Sequence, residues 1–440
     1  SAASDVYKRQ ILSKRTFIVL PLFLFSLHPL WGQKSNFKND ICIPGKLYML
    51  SDIRNDVFVE ALIKRWRPYN DFVRFSGDCV YSRKLNRVAS VDTPVDGSNM
   101  KIELVNSDEF ETIKEKAISI CVGKKGIGTQ EVTVQILGDS FVNGAFFRDA
   151  LLSKNYIPGI KLVGLRNIKN EEGQYDEGRG GWTVKKYFEI PKGEMTSYHG
   201  YMQPVGEYRY WGSCEFWKNC YKVINGELTD TEIVYNCGRY DQCITKFDKE
   251  TGYLAAPKKN DLMYDNARGS YMVYTGKKWK NVEVDERKWA FNYRKYLDMW
   301  NLDAPKFFAQ MLGLNDYRDS LTADYREWNK KIAEMKESYY KAVPDGKFII
   351  LIPCTTCGSL NNIRGDFTLR QNASMWQLRK NIIDTFDGRE SEGYYVVDIG
   401  ITIDNEKGYN RNRDGIQTGN PHPYPNYPTC LLYTSDAADE

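Results

Sequence analysis

Strand-like and helix-like stretches alternate from residue 131 onward, and this alternation restricts the possible folds more than any other feature of the chain. VTVQIL (132–137) reads as a strand and residues 141–153 as a helix. IKLVGL (160–165) reads as a second strand, WTVKKYF (182–188) opens a short helix, and KFFAQMLGL (306–314) is a further buried run. Within 320–342, Leu321, Tyr325, Trp328, Ile332, Met335 and Tyr339 recur at intervals of three and four, one apolar face of a helix. KFIILIP (347–353) is almost continuously apolar, as expected of a strand covered on both faces. Residues 369–386 read as helical and YYVVDIG (394–400) as a last strand. The alternation predicts an α/β fold: a three-layer α/β/α sandwich with a parallel, flavodoxin-like sheet.

Two regions depart from that rhythm. Residues 34–128 carry short β-rich runs, KLYML, DVFVEALI, DFVRF, CVYS, MKIELV and AISICV, punctuated by Asp, Gly, Asn and Pro. They predict a small β-rich, sandwich-like domain ahead of the α/β one. Residues 189–300 are rich in Tyr, Trp, Gly and Cys and are too long for a simple connection, so an insertion with its own structure is expected there. The expected hydrolase-sized domain then runs from 129 to 429 around that insertion.

The ends read differently. SAASDVYKRQ (1–10) and the stretch 430–440 look like translated sequencing-adapter sequence and are left out of the fold reasoning. Lys14-Arg15 followed by TFIVLPLFLFSLHPLWGQ reads as a secretory signal peptide with cleavage near Gly32 or Gln33. The run is too short and too broken by proline for a span of about 20 residues. A secreted or periplasmic protein, without stable membrane insertion, is expected.

The formal net charge is only +4, with no basic blocks, which gives no ground for a nucleic-acid partner. In an exported chain cysteines predict disulfides, and Cys214, Cys220, Cys237 and Cys243 lie close enough for local staples in the insertion. Cys354-Thr-Thr-Cys357 has redox or zinc spacing, but a lone pair in a chain with 3 histidines favours a structural disulfide or plain thiols. No cofactor or metal is expected.

Chemistry is concentrated in short blocks after strands. Gly138-Asp139-Ser140 ends the first strand; it reads either as a turn and helix cap or as a nucleophile presented at the carboxyl edge of a sheet. A serine nucleophile needs a base and oxyanion donors. His28 falls in the signal segment and His199 in the insertion, which leaves His422, in GNPHPYPN past the last strand, as the candidate base. EGRGGWT (177–183) follows the second strand and offers a glycine N–H, while GLND (313–316) ends a buried run and offers an asparagine amide. Each block alone is weak; four of them, each after an expected strand and in one order, carry weight together.

That ordered set resembles the SGNH (GDSL-type) hydrolase family, named for its Ser, Gly, Asn and His blocks. The resemblance covers residues 131–428, interrupted at 189–300. It implies Ser140 as nucleophile and first oxyanion donor, Gly181 and Asn315 as the other donors, and His422 as base. The family usually carries an Asp three residues before that histidine, and here Gly419 stands there. Asp414 is the candidate substitute and Asp404 a weaker one; a backbone carbonyl holding the imidazole in a Ser–His dyad is the alternative. Asp139 and Asp316 are expected to fix the block loops by accepting backbone N–H bonds.

The resemblance implies a secreted serine esterase acting on acyl esters. The EGRGGWT form is similar to carbohydrate esterases of that family, which favours an acetylated carbohydrate over other small esters. Tyr208, Tyr210, Trp211, Trp217, Trp279 and Trp289 are the candidate sugar platforms. A lipase or lysophospholipase is the alternative within the class. A non-catalytic carbohydrate-binding protein with a degenerate site is the alternative outside it.

Overall fold

The computed structural model describes residues 39–404 apart from 52, 65–70, 79, 84–86, 107–109, 125–130, 145–147, 149–151, 153–158, 168–174, 195, 230–233, 235, 239, 321 and 355–368. The signal segment, Cys357, Asp414 and His422 therefore lie outside the described residues.

One six-stranded sheet organises the α/β part, and every pairing in it is parallel. Strand Val132–Gly138 lies inside it. Phe307–Met311, Lys347–Ile352 and Tyr394–Asp398 follow on one side in that order. On the other side two short strands share its flank: Ile160–Leu162 pairs with Val132–Val134, and Glu177–Gly178 pairs with Leu137–Gly138. Helix Arg326–Ala342 buries Trp328, Ile332, Met335 and Tyr339, the face expected from the periodicity. Tyr325 is its N-cap residue rather than part of its face, and Leu321 lies outside the described residues. Helix Leu369–Phe386 and strand Lys347–Ile352 fall where the apolar patterns place them. The expected strand 160–165 stops at Leu162, because the chain then leaves the sheet to form a bridge between Arg166 and Asp176.

Residues 46–123 form two further sheets. Four strands, Lys46–Leu50, Thr112–Gly123, Asn99–Asn106 and Asp71–Gly77, make one. Asn55–Phe58, Val88–Val91 and Val80–Arg83 make the other. Val57, Ala89 and Val91 of the smaller sheet share one buried cluster with Leu47, Val73, Ile102, Leu104 and Ile120 of the larger. Trp376 of the Leu369–Phe386 helix ties this region to the α/β part by donating its Nε1–H to Leu62 O at 3.1 Å.

The insertion has its own sheet, in which Arg209–Ser213 runs parallel to Asp261–Asp265, and Ser270–Tyr274 and Trp279–Val282 continue it antiparallel. Helix Cys214–Ile224 starts on Ser213, whose Oγ accepts the Phe216 N–H at 3.3 Å. Helix Tyr293–Trp300 starts on Asn292, whose side chain accepts the Lys295 N–H at 3.0 Å. The interior of the insertion is continuous with that of the α/β sheet, since Tyr198, Tyr201, Trp217 and Tyr296 belong to the same buried cluster as Ile136, Phe308 and Ile350.

The expected staples are not formed. Cys214, Cys220 and Cys237 are free thiols, as are Cys42, Cys121 and Cys354. Cys220 and Cys237 sit side by side, and burial together with the neighbouring thiol pushes the Cys220 pKa up. The four insertion cysteines are buried and pack as small apolar groups among the aromatic side chains. Among the described residues, no helix is long and apolar enough to cross a membrane.

Candidate functional site at the carboxyl edge of the parallel sheet

Three of the chemical blocks leave the sheet at one level. Gly138 pairs with Gly178 on one side and with Met311 on the other, so the loops after these three residues open side by side. At this edge of parallel strands ligands are commonly bound. A single helical turn, Ser140–Asn143, starts at once, capped by Asp139, whose Oδ1 accepts the Phe141 N–H at 3.0 Å. Glycine is required on both sides of that turn. A Cβ on Gly138 would lie 2.5 Å from Val142 Cγ2, and one on Gly178 would lie 2.2 Å from Asn143 N. Ser140 is partly exposed, and neither its hydroxyl nor its N–H has a hydrogen-bond partner among the described residues.

The blocks are bonded to one another. The Arg179 N–H donates to Gly138 O at 2.9 Å, and the Tyr187 hydroxyl lies 2.7 Å from both Gly138 O and Glu177 O. The Asn315 amide donates to Trp182 O at 3.2 Å and, at a longer 3.4 Å, to Asp139 Oδ2. Asp316 accepts the Val184 N–H on both carboxylate oxygens, at 3.0 and 3.2 Å. Both acids thus bind backbone amides of the block loops, the arrangement expected of them. Gly181 sits exposed with φ +71°, a left-handed conformation that favours glycine, and its N–H has no partner among the described residues.

Burial pushes Asp139 up to about 7, opposed by the Phe141 N–H and reinforced by the charge of Asp316. Burial likewise pushes Asp316 up to about 7, against the Val184 N–H. Two carboxyls raised toward neutrality therefore adjoin Ser140 and Asn315, one in each of the two loops.

Beneath the edge lies a polar network that sequence reasoning missed. Glu177 is fully buried; its Oε1 accepts the Leu165 N–H at 2.7 Å and the Tyr296 hydroxyl at 2.6 Å, and its Oε2 accepts Arg179 Nη1 at 2.6 Å. Arg179 also donates to Tyr198 O at 2.9 Å and stacks its guanidinium 5.2 Å from the Trp182 ring centre. Gln135 accepts from the Tyr201 and Tyr293 hydroxyls at 3.2 and 2.7 Å and donates to Tyr296 Oη at 3.0 Å. Opposite charges two residues apart in the EGRGGWT block, Glu177 and Arg179, were the available signal. Such groups stay in an interior only when paired.

His199 stands near this network, its ring 5.7 Å from that of Trp182. It is fully committed: Nε2 faces Glu189 O at 3.0 Å, and Nδ1 accepts the Tyr201 N–H at 3.2 Å. Burial and the Arg179 charge depress it to about 3, so it is a neutral structural imidazole. At the far strand, Asp398 forms a fully buried ion pair with Arg379, and Asp404, the weaker acid candidate, is buried. The candidate base His422 and the candidate acid Asp414 lie outside the described residues. Among the described residues no group of His, Cys, Asp and Glu has metal-holding geometry.

Four of the six candidate sugar platforms are interior residues: Tyr210, Trp211, Trp217 and Trp289 are buried, each locked against other rings. Their size and low polarity serve the insertion's core. Tyr208 and Trp279 remain partly exposed.

No family model matches the sequence. No curated protein matches it either. Among solved structures, a carbohydrate esterase family 3 protein from Talaromyces cellulolyticus aligns over 69% of this chain and 93% of its own, with 12% identity and a TM-score of 0.29. A serine-to-alanine mutant of an acetyl esterase, solved with acetate ion, aligns over 69% and 93% with 13% identity and a TM-score of 0.30. A peptidoglycan O-acetylesterase aligns over 69% and 89% with 10% identity and a TM-score of 0.30. At that distance none of them assigns an activity to this chain.

Proposed function

We propose that the protein is a secreted serine esterase of the SGNH (GDSL) type that removes short acyl groups, acetyl above all, from a carbohydrate. One observation carries the reading. The GDS, EGRGGWT and GLND blocks leave neighbouring strands at one level and bond to each other around Ser140, whose hydroxyl and N–H have no partner among the described residues. The domain reading that goes with it is a flavodoxin-like α/β/α sandwich, spanning 129–429 with an insertion at 189–300, behind a β-sandwich-like region.

In this mechanism His422 takes the proton of Ser140 as Oγ attacks the ester carbonyl. The N–H groups of Ser140 and Gly181 and the amide of Asn315 receive the oxyanion, each donor contributing about 3–4 kcal/mol to lowering the barrier. The Asn315 bond to Asp139, the longer of its two, yields to the oxyanion, while the bond to Trp182 O holds the side chain in place. His422 then protonates the leaving alcohol, and water releases the acyl group. Asp414, or a backbone carbonyl, orients the imidazole.

The test is hydrolysis of p-nitrophenyl acetate and acetylated xylan by the wild type beside Ser140→Ala. Turnover by the wild type and its loss in the variant is the expected result. Turnover that is absent, or equal in the two proteins, refutes the reading.

A further inference from the structure

Two lysine-bearing turns lie side by side at one end of the insertion's sheet. Lys258 and Lys259 precede strand Asp261–Asp265, and Lys277 and Lys278 lie in the turn between Ser270–Tyr274 and Trp279–Val282. The Asn260 N–H donates to Tyr274 O at 2.9 Å, and Lys259 Cβ is 3.9 Å from where a Cβ on Gly276 would stand. A bond from Thr275 N–H to Lys278 O at 3.0 Å closes the second turn. These four lysines and Lys280 in the adjoining strand are exposed, and none forms an ion pair among the described residues. The acids of the same sheet are already engaged: Asp261 binds Arg209 at 2.7 Å, and Asp265 binds Arg268 at 3.2 Å and the Tyr253 hydroxyl at 2.7 Å.

Beside the lysines stands Trp279, which is partly exposed on the edge strand. Its ring centre lies 4.9 Å from that of Tyr253 and 5.4 Å from that of Tyr274, so its neighbours hold it in place. Unpaired like charges gathered in one place repel each other and raise the local concentration of a polyanion. Lysine is a compact point charge on a flexible stem, suited to carboxylates repeated along a chain at variable spacing. A held aromatic face supplies an apolar surface for the face of a sugar ring.

We propose that this end of the insertion is a docking platform for an acidic polysaccharide, a polymer whose sugar rings carry carboxylate groups. Trp279 stacks on a ring, and Lys258, Lys259, Lys277 and Lys278 pair with carboxylates on either side of it. The proposal goes beyond the esterase reading and does not depend on it, because binding is measured in a protein that lacks the nucleophile.

The experiment is affinity electrophoresis of the full-length Ser140→Ala protein through gels containing polygalacturonate, neutral xylan or duplex DNA. Polygalacturonate is expected to retard the protein and neutral xylan is not. Lys277→Glu/Lys278→Glu is expected to raise the dissociation constant for polygalacturonate about tenfold or more, and added salt to weaken binding in the parent protein. Trp279→Ala is expected to weaken binding by a smaller factor with the salt response retained. Circular dichroism and melting curves verify that the variants are folded. No retardation by polygalacturonate, retardation unchanged in the lysine variant, or tighter binding of DNA than of polygalacturonate at equal salt overturns the proposal.

Discussion

The two interiors of this chain are built from different chemistry. The N-terminal one is aliphatic, with Val73, Ile102, Leu104, Ile118 and Ile120 facing Val57, Ala89 and Val91 across two sheets. The one under the α/β sheet is aromatic and polar. Tyr201 stacks on Phe291 and Tyr296 at 4.7 and 4.3 Å, and Glu177, Arg179 and Gln135 are buried among these rings. Aliphatic packing tolerates change in proportion to the volume lost. A buried polar network depends on every partner, and partial loss costs more than the bond removed. The loops of the candidate site rest on the second kind of interior, so the insertion supports that sheet edge from below: Tyr198, Tyr201 and Tyr296 reach from it into the network around Glu177.

That contrast is most exposed at Glu177. Glu177→Ala strands Arg179 and is expected to destabilise the fold by about 3–5 kcal/mol, read as a lowered urea midpoint. A loss under about 1 kcal/mol would show that the network is dispensable. Next comes pH. Asp139 and Asp316 are raised from the usual carboxylate range, about 3.9 when unfolded, to about 7. Their contribution is fully present below about pH 4 and lost as pH rises through about 7. The wild type should therefore lose stability between about pH 4 and 7 relative to Asp316→Asn; parallel curves for the two proteins would contradict the assignment. Tyr296→Phe removes one hydroxyl from both Gln135 and Glu177 and is expected to cost about 1–3 kcal/mol. Ile102→Val in the aliphatic interior should cost only about 0.5–1.5 kcal/mol. If it costs as much as Tyr296→Phe, the two interiors do not differ in the way described.

Legibility in the sequence followed the same division. Strands and helices with a strong apolar period, such as Lys347–Ile352, Leu369–Phe386 and the buried face of Arg326–Ala342, lie where the pattern puts them. GDS and GLND stand at the sheet edge because each combines turn residues with the end of an apolar run, whereas EGRGGWT reaches that edge on a two-residue strand of its own, Glu177–Gly178, with no apolar run before it. The polar interior was not legible, since a tyrosine hydroxyl shows its partner only after folding; hence Tyr210, Trp211, Trp217 and Trp289 read as surface platforms although they are core. The insertion cysteines misled for a related reason: sequence proximity marks where a disulfide could close, while the fold packs these thiols as apolar volume. The lysine platform was hidden because it joins two short runs, around 258 and 278, that only the sheet brings together.

The central claim is that the sheet edge presents Ser140 as a nucleophile. The most direct measurement is covalent labelling with a fluorophosphonate probe, followed by peptide mapping of the wild type, Ser140→Ala and His422→Ala. The account predicts one adduct, on Ser140, absent from Ser140→Ala and strongly reduced in His422→Ala. An adduct on another serine, or labelling that persists in Ser140→Ala, would contradict it.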